Sequence, residues 1–276
     1  MKTRVLVALA AMLCMEAAGD ASAQYSKGPA FAPGIGGHGD EQKLRLKRCF
    51  DRHRSPSDRG DSCKRLLDSG EDTNIDAATV ARDYTEAGRY DDAQAVLAAR
   101  LGAAPDDADA QVATAVMDAA QGRYADAAKT ADRVVSATHN SAFGFANRCW
   151  VRAVAGSDLD AALADCDKAI ALEPGESSVW DSRGLVDFKR GDAKTAVADF
   201  DKSIALHSYG DYDWNARVLQ NDAARDALND QAGTYYMRGL AKTKAGDADG
   251  GARDIATAKA HDPYIDDEYS HYGVKP

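Results

Sequence analysis

The chain contains two nearly identical hexapeptides, "GRYDDA" at residues 88–93 and "GRYADA" at residues 122–127, which begin 34 residues apart. Related stretches follow at residues 156–162, 191–196 and 246–251, the first of them with one extra residue. A constant spacing of this length is the signature of a repeated structural unit. Counting outward from the hexapeptides places five units at 74–107, 108–141, 142–176, 177–210 and 232–265.

The composition favours close-packed helices. The 276 residues are 45% hydrophobic but only 7% aromatic, and there are seven prolines. Alanine is abundant and is the best helix former, whereas the aromatic and β-branched residues that strands prefer are few. An all-β fold is therefore not expected.

Particular positions of the five units resemble the tetratricopeptide repeat (TPR). The eighth and twentieth positions, where the two helices of a TPR come closest, hold only small residues: Ala81, Ala115, Cys149, Gly184 and Gly239, and then Ala93, Ala127, Ala162, Ala196 and Gly251. A glycine follows the first helix of every unit: Gly88, Gly122, Gly156, Gly191 and Gly246. The resemblance covers residues 74–265 and implies an all-α, right-handed superhelical solenoid of antiparallel helix pairs.

The first two units depart from this pattern. Their fourth position holds Ala77 and Gln111, whereas the later units have the bulky Phe145, Trp180 and Tyr235. We expect the first two units to pack less well.

The N-terminus has the three features of a secretory signal peptide. Lys2 and Arg4 precede an apolar run over residues 5–15, and Ala21-Ser22-Ala23 supplies the small residues of a cleavage site. An apolar first helix of the domain is the alternative. Cleavage near Ala23 predicts a periplasmic protein of a Gram-negative bacterium, or a secreted one, and no later apolar run is long enough to span a membrane.

The rest of the chain divides by composition. We predict a flexible Gly/Pro-rich arm at 24–41, a basic helical hairpin at 42–73, four tandem units at 74–210, an insert at 211–231, a fifth unit at 232–265 and a tail at 266–276.

Export leaves four cysteines in an oxidising compartment, which suggests two disulfides. Cys49 and Cys63 lie on either side of the turn of the N-terminal hairpin, and we expect a bond between them. This arrangement resembles the cysteine-containing N-terminal hairpin of some exported TPR proteins. Cys149 and Cys166 face each other within one unit, either as a second disulfide or as two buried thiols.

Charge is distributed unevenly. Residues 42–66 carry nine Lys and Arg against three Asp, while the whole chain has a net charge of −10. The basic hairpin therefore touches an anionic surface, such as a glycan or lipid headgroups, or it docks on the acidic solenoid, or it is simply a solvated face. The overall negative charge argues against nucleic-acid binding.

No catalytic motif is present, and we expect neither an enzyme nor a cofactor. One group of side chains near the C-terminus has metal-binding chemistry, namely His261, Asp262, Asp266, Asp267, Glu268 and His271. We interpret this group as a solvated acidic tail and predict no metal site.

Binding surfaces are the better indication of function. In a TPR, the first helix of each unit lines a concave groove. This implies a strip of groove residues made of Arg82, Val112, Val116, Phe143, Trp150, Asp181, Leu185, Phe188, Lys189, Tyr236, Leu240 and Lys244. An exposed apolar strip of this kind marks a site for a peptide or helix, unless residues 24–40 or 211–231 cover it. The sequence thus predicts a protein or peptide partner, an envelope protein by virtue of export, with glycan or anionic-lipid binding through the hairpin as the alternative.

Overall fold

The computed structural model describes residues 38–70, 75–210 and 231–274. Within these ranges the chain forms thirteen helices and no strand. They are α1 (His38–Phe50), α2 (Pro56–Ser69), α3 (Ala77–Glu86), α4 (Tyr90–Ala103), α5 (Ala108–Ala120), α6 (Tyr124–Ala137), α7 (Ala142–Ala155), α8 (Leu159–Leu172), α9 (Ser177–Arg190), α10 (Ala193–Gly210), α11 (Ala232–Ala245), α12 (Ala248–His261) and α13 (Ile265–His271). The all-α prediction is confirmed.

Ten of these helices form five hairpins, one in each predicted unit: α3–α4, α5–α6, α7–α8, α9–α10 and α11–α12. The first helices of neighbouring units touch each other, and the second helix of each unit packs against the first helix of the next. Each unit therefore buries apolar surface both between its own two helices and against its neighbours, which is the packing of a solenoid. Apart from Gln231, the predicted insert lies outside the described residues.

Small residues bring the two helices of each hairpin together, as the repeat pattern predicts. The alanines at the eighth and twentieth positions are at most 1% exposed. In the fifth hairpin the two helices lie very close, because a Cβ added at Gly251 would lie 2.6 Å from the carbonyl oxygen of Gly239. A larger side chain at either glycine would force α11 and α12 apart.

The predicted turn glycines also take the backbone conformation that ends a helix. In Gly88, Gly122, Gly156, Gly191 and Gly246 the φ angle lies between 64° and 101°. This left-handed conformation lets the chain leave the first helix and enter the second at little cost for a residue without a Cβ.

An arginine at the seventh position ties the later hairpins together, a feature that sequence reasoning missed. Arg183 donates two hydrogen bonds, of 2.9 and 2.6 Å, to the buried carboxylate of Asp199 on the partner helix. It also bonds to Asp167 of the preceding unit and stacks on Trp180 at 4.5 Å. We call this arrangement the Arg–Asp clasp.

The clasp recurs in two other units. Arg148 pairs with Asp165 and Asp132, and Arg238 pairs with Asp254 and Asp201. In the first two units the equivalent positions are Val80 and Thr114, so the clasp is confined to the units that also have an aromatic fourth residue.

The N-terminal hairpin consists of α1 and α2, and a disulfide joins Cys49 to Cys63 as predicted. The predicted arm ends too late, because α1 already begins at His38; residues 24–37 lie outside the described residues. The hairpin docks on the solenoid through α2 and α3. At their contact Arg59, only 2% exposed, donates to Asp83 at 3.1 Å and to Glu86 at 2.6 Å.

A second disulfide joins Cys149 of α7 to Cys166 of α8. The alternative of two buried thiols therefore does not apply, and the third hairpin is cross-linked as well as clasped.

Candidate functional site

The first helices of the five units, α3, α5, α7, α9 and α11, form one continuous surface, which we call the groove. All twelve predicted binding residues lie on these helices. The repeat pattern therefore placed the residues on the right elements, but it did not foresee how much of their surface is covered.

The prediction of an exposed apolar strip is wrong. Leu185, Tyr236 and Leu240 are 1%, 0% and 8% exposed and belong to the core.

The other nine are more accessible. Val112, Val116, Trp150, Asp181, Phe188 and Lys189 are half-buried, whereas Arg82, Phe143 and Lys244 are exposed. The Nζ of Lys244 lies 4.7 Å from the ring centre of Phe188 and covers part of that ring.

The groove is occupied by residues 265–274 of the same chain, which we call the C-terminal segment. Ile265, Tyr269 and Tyr272 are spaced by four and three residues and therefore share one helix face. These three and Val274 are at most 4% exposed and pack in the same core cluster as the groove helices. The prediction of a solvated tail is thus wrong here. From the sequence, residues 24–40 and 211–231 are instead the segments that could cover the groove. Of these, residues 24–37 and 211–230 lie outside the described residues.

Aromatic rings make the central contact between groove and segment. Tyr269 lies 5.2 Å from Tyr236 and 5.7 Å from Tyr272, measured between ring centres. Tyr272 in turn meets Trp150 edge to face at 5.5 Å. Aromatic pairs in such geometries contribute about 0.5–1.5 kcal/mol each beyond the burial of their surface.

Lys189 anchors the backbone of the segment. Its Nζ donates to the carbonyl oxygen of Tyr272 at 2.6 Å and to that of Val154 at 3.0 Å. Burial without a carboxylate partner lowers the pKa of Lys189 to about 8. The amine therefore serves as a directed hydrogen-bond donor to two carbonyl groups.

Arg52, from the turn of the N-terminal hairpin, reaches the other end of the segment. Its Nη1 lies 3.5 Å from Asp262, 3.7 Å from Glu268 and 3.7 Å from Glu86. Since Arg59 also pairs with Glu86, the two ends of the solenoid meet in one buried charge cluster.

This cluster has more carboxylates than cations, and Glu268 shows the consequence. Burial, together with the neighbouring charge of Glu86, raises the pKa of Glu268 to about 8, although Arg52 and Arg59 oppose the shift. Asp262 adds further repulsion. At neutral pH the docked segment therefore keeps a proton on Glu268.

Several polar atoms at the contact have no hydrogen-bond partner. Within the described ranges four buried side-chain polar atoms are unpaired, and three of them lie here: Oδ1 of Asp181, the hydroxyl of Tyr236 and Oδ1 of Asp266. Burial and the nearby Asp266 raise the pKa of Tyr236, but the two groups do not meet in hydrogen-bond geometry. The fit between groove and segment is therefore incomplete.

The side chains of the predicted metal group have other contacts. Asp262 is 2% exposed and faces Arg52, while Nδ1 of His271 lies 3.2 Å from the Tyr90 hydroxyl. In the part of the chain that the structure describes, no cluster of three or more His, Cys, Asp or Glu side chains is arranged to hold a metal ion.

Solved structures provide the comparison. A thermophilic TPR protein of Thermus thermophilus is 18% identical to this chain with a TM-score of 0.53, over 71% of this chain and 95% of its own. The chain has the TPR fold. The type IV pilus biogenesis factor PilW is 15% identical over 87% of this chain and 99% of its own, with a TM-score of 0.47, too low to support an inference. No family model matches the sequence, and no curated protein matches it significantly.

Within this TPR fold, the C-terminal segment is the occupant of the groove that sequence reasoning missed. Its signal was present as the spacing of Ile265, Tyr269 and Tyr272, but the surrounding acidic residues obscured it. Among the described helices none is long and apolar enough to cross a membrane.

Proposed function

We propose that the chain is a non-enzymatic interaction scaffold of the periplasm that binds a peptide or helix of an envelope protein in its groove. The observation that carries the proposal is the docked C-terminal segment, because it gives the groove a short amphipathic helix as an occupant. The TPR fold agrees with this role, since stacked rigid hairpins present a preformed surface. The signal-peptide pattern and the two disulfides support an exported location.

The alternative, binding of glycan or anionic lipid through the N-terminal hairpin, has less support. Arg59 and Arg52 are engaged with carboxylates of the solenoid and the segment, and Arg89 binds Asp61 within the same region. These ion pairs favour the interpretation that the hairpin docks on the acidic solenoid.

Site-specific photo-crosslinking in cells tests the proposal. A crosslinker replaces Phe143 or Lys244, which are exposed groove residues on different units. Leu172 is the matched control, because it is 56% exposed and lies on a second helix. We expect the same envelope protein to be captured from both groove positions and not from the control. Capture from position 172 alone, or equal capture from all three positions, would refute a groove partner.

Trp150→Ala provides a second measurement. If Trp150 belongs to the binding surface, this change reduces the crosslink yield while the melting temperature falls only slightly. A loss of yield that merely parallels a loss of stability would show that Trp150 is a core residue.

A further inference from the structure

The contacts of the C-terminal segment describe the chemistry that the groove accepts. An aliphatic anchor, Ile265, is followed four residues later by Tyr269 and three residues after that by Tyr272, all three buried. An acidic residue, Glu268, precedes the first aromatic anchor and faces Arg52. The carbonyl of the second aromatic residue accepts the hydrogen bond from Lys189.

The same contacts show why the segment is easier to release than a repeat helix. α13 has only seven residues, whereas the repeat helices have ten or more. Its contact with the groove leaves three buried polar atoms unpaired and adds Glu268 to a cluster in which carboxylates outnumber cations. Each unpaired buried polar group weakens the contact, because it has lost its water without gaining a partner. In the Arg–Asp clasps, by contrast, both carboxylate oxygens of Asp199 and of Asp254 are paired.

We propose that residues 265–274 are a displaceable internal ligand of the groove, and that the partner is a protein segment with the same chemistry. This partner segment is a short helix with an aliphatic residue, an aromatic residue four positions later and a second aromatic residue three positions after that. The inference rests on the proposed function, since it names the kind of partner that the groove binds.

Tethering explains how an imperfect ligand holds the site. A segment joined to its own binding surface competes at an effective concentration in the millimolar range. An external segment that supplies a hydrogen-bond donor to Asp181 removes one of the unpaired atoms and gains affinity over the internal one. The docked segment thereby sets a threshold, so that only partners that bind better than the internal ligand open the groove.

The test uses the full mature chain and a fluorescently labelled peptide with the sequence of residues 262–276. In the wild-type chain the internal segment occupies the groove and the peptide binds weakly. Tyr272→Ala weakens the internal segment and leaves the groove intact, so we expect peptide binding to become at least tenfold tighter by fluorescence anisotropy. Ser270→Ala, an exposed position of the same segment, is the matched control and should behave as the wild type.

Two further variants keep the result interpretable. Adding Trp150→Ala to Tyr272→Ala should abolish peptide binding, because Trp150 is the groove partner of Tyr272. If amide exchange shows that the segment of Tyr272→Ala is still docked, Tyr269→Ala is added. A groove that is open by amide exchange and still does not bind the peptide would overturn the proposal.

The outcome is separable from that of the proposed function. Crosslinking from positions 143 and 244 makes no assumption about the partner's sequence, so a captured partner without peptide binding refutes only the internal-ligand inference. A wild-type chain that forms a concentration-dependent dimer, which the labelled peptide dissociates, would show that the occupant is the segment of a second copy and would also overturn it.

Discussion

Replacing Gly233 by alanine should expel the C-terminal segment while strengthening the helix that carries the substitution. Gly233 lies in the first turn of α11, and the hydroxyl of Tyr269 is the atom nearest to the position that a Cβ on Gly233 would take. A Cβ added there would collide with this hydroxyl and would lie 3.4 Å from Cζ of the same ring. Tyr269 has little freedom to move away, because its ring lies between those of Tyr236 and Tyr272.

The two effects of Gly233→Ala have opposite signs and act on different equilibria. Alanine stabilises a helix interior by about 1 kcal/mol relative to glycine, and the gain is smaller in the first turn, where Gly233 lies. Forcing an extra carbon into a packed contact costs about 1–3 kcal/mol. Since about 1.4 kcal/mol corresponds to a factor of ten, the ratio of docked to undocked segment should fall by about five- to a hundredfold, whereas the global free energy of unfolding hardly changes.

Hydrogen exchange measured by mass spectrometry separates these equilibria. In the docked segment the amide of Val274 donates to the carbonyl of Tyr269 at 3.0 Å, and Gly233→Ala should lower the protection of residues 265–274 alone. Adding Tyr269→Phe removes the obstructing oxygen and should restore the protection. Gly102→Ala is the matched control, because it places a Cβ at an exposed position of α4 with no atom within 4 Å. Unchanged protection in Gly233→Ala, or no recovery with Tyr269→Phe, would refute this reasoning.

Three other predictions concern charge and cross-linking. Because the pKa of Glu268 is raised to about 8, docking is fully stabilised below about pH 4.5 and weakens as pH rises through 8. The protection factors of the segment should therefore fall by up to tenfold per pH unit, and Glu268→Gln should remove this dependence. Parallel pH profiles in the wild type and in Glu268→Gln would contradict the prediction. Arg183→Met leaves the buried Asp199 unpaired and should lower the free energy of unfolding, measured in urea, by about 3 kcal/mol. Adding Asp199→Leu to this variant should restore most of the loss. Additive losses in the double variant would show that the two side chains of the clasp do not interact. Replacing Cys149 and Cys166 by alanine removes a cross-link between residues 17 apart and should lower stability by about 3 kcal/mol, whereas an unchanged urea midpoint would show that the bond contributes nothing.

The sequence was sufficient to predict the repeated part of the fold. Every hairpin begins and ends within its predicted unit, because small residues and turn glycines recur at a fixed spacing and each acts within its own hairpin. Local rules of this kind need no knowledge of distant parts of the chain. The Arg–Asp clasp was equally local, since Arg148, Arg183 and Arg238 share one position, but acidic residues taken by themselves indicate only helix caps and solvated faces.

The candidate site could be predicted only in part, because its state depends on contacts between residues far apart in sequence. The repeat pattern places Trp150 and Tyr236 on the groove, but Tyr272 meets Trp150 from 122 positions away. No periodicity specifies that contact. Burial of acidic residues at this end of the chain was also unexpected, since Asp and Glu are almost never fully buried unless they are paired. The cation that pairs with Asp262 is Arg52, which lies 210 residues earlier in the sequence, so the pairing could not be foreseen.

Arg52 explains how the segment can open without unfolding the N-terminal hairpin. When the segment leaves, Arg52 loses Glu268 but keeps Asp262 and Glu86 within 3.7 Å, and more of its side chain meets water. Arg59 remains paired with Glu86 throughout, so no buried carboxylate of the hairpin contact is left without a cation. The opening therefore costs mainly the aromatic contacts and the Lys189 hydrogen bond, while it relieves the carboxylate excess around Glu268. The hairpin is thus held by complete ion pairs, whereas the segment is held by incomplete ones. This difference allows the hairpin to stay docked at one end of the solenoid while the segment exchanges at the other.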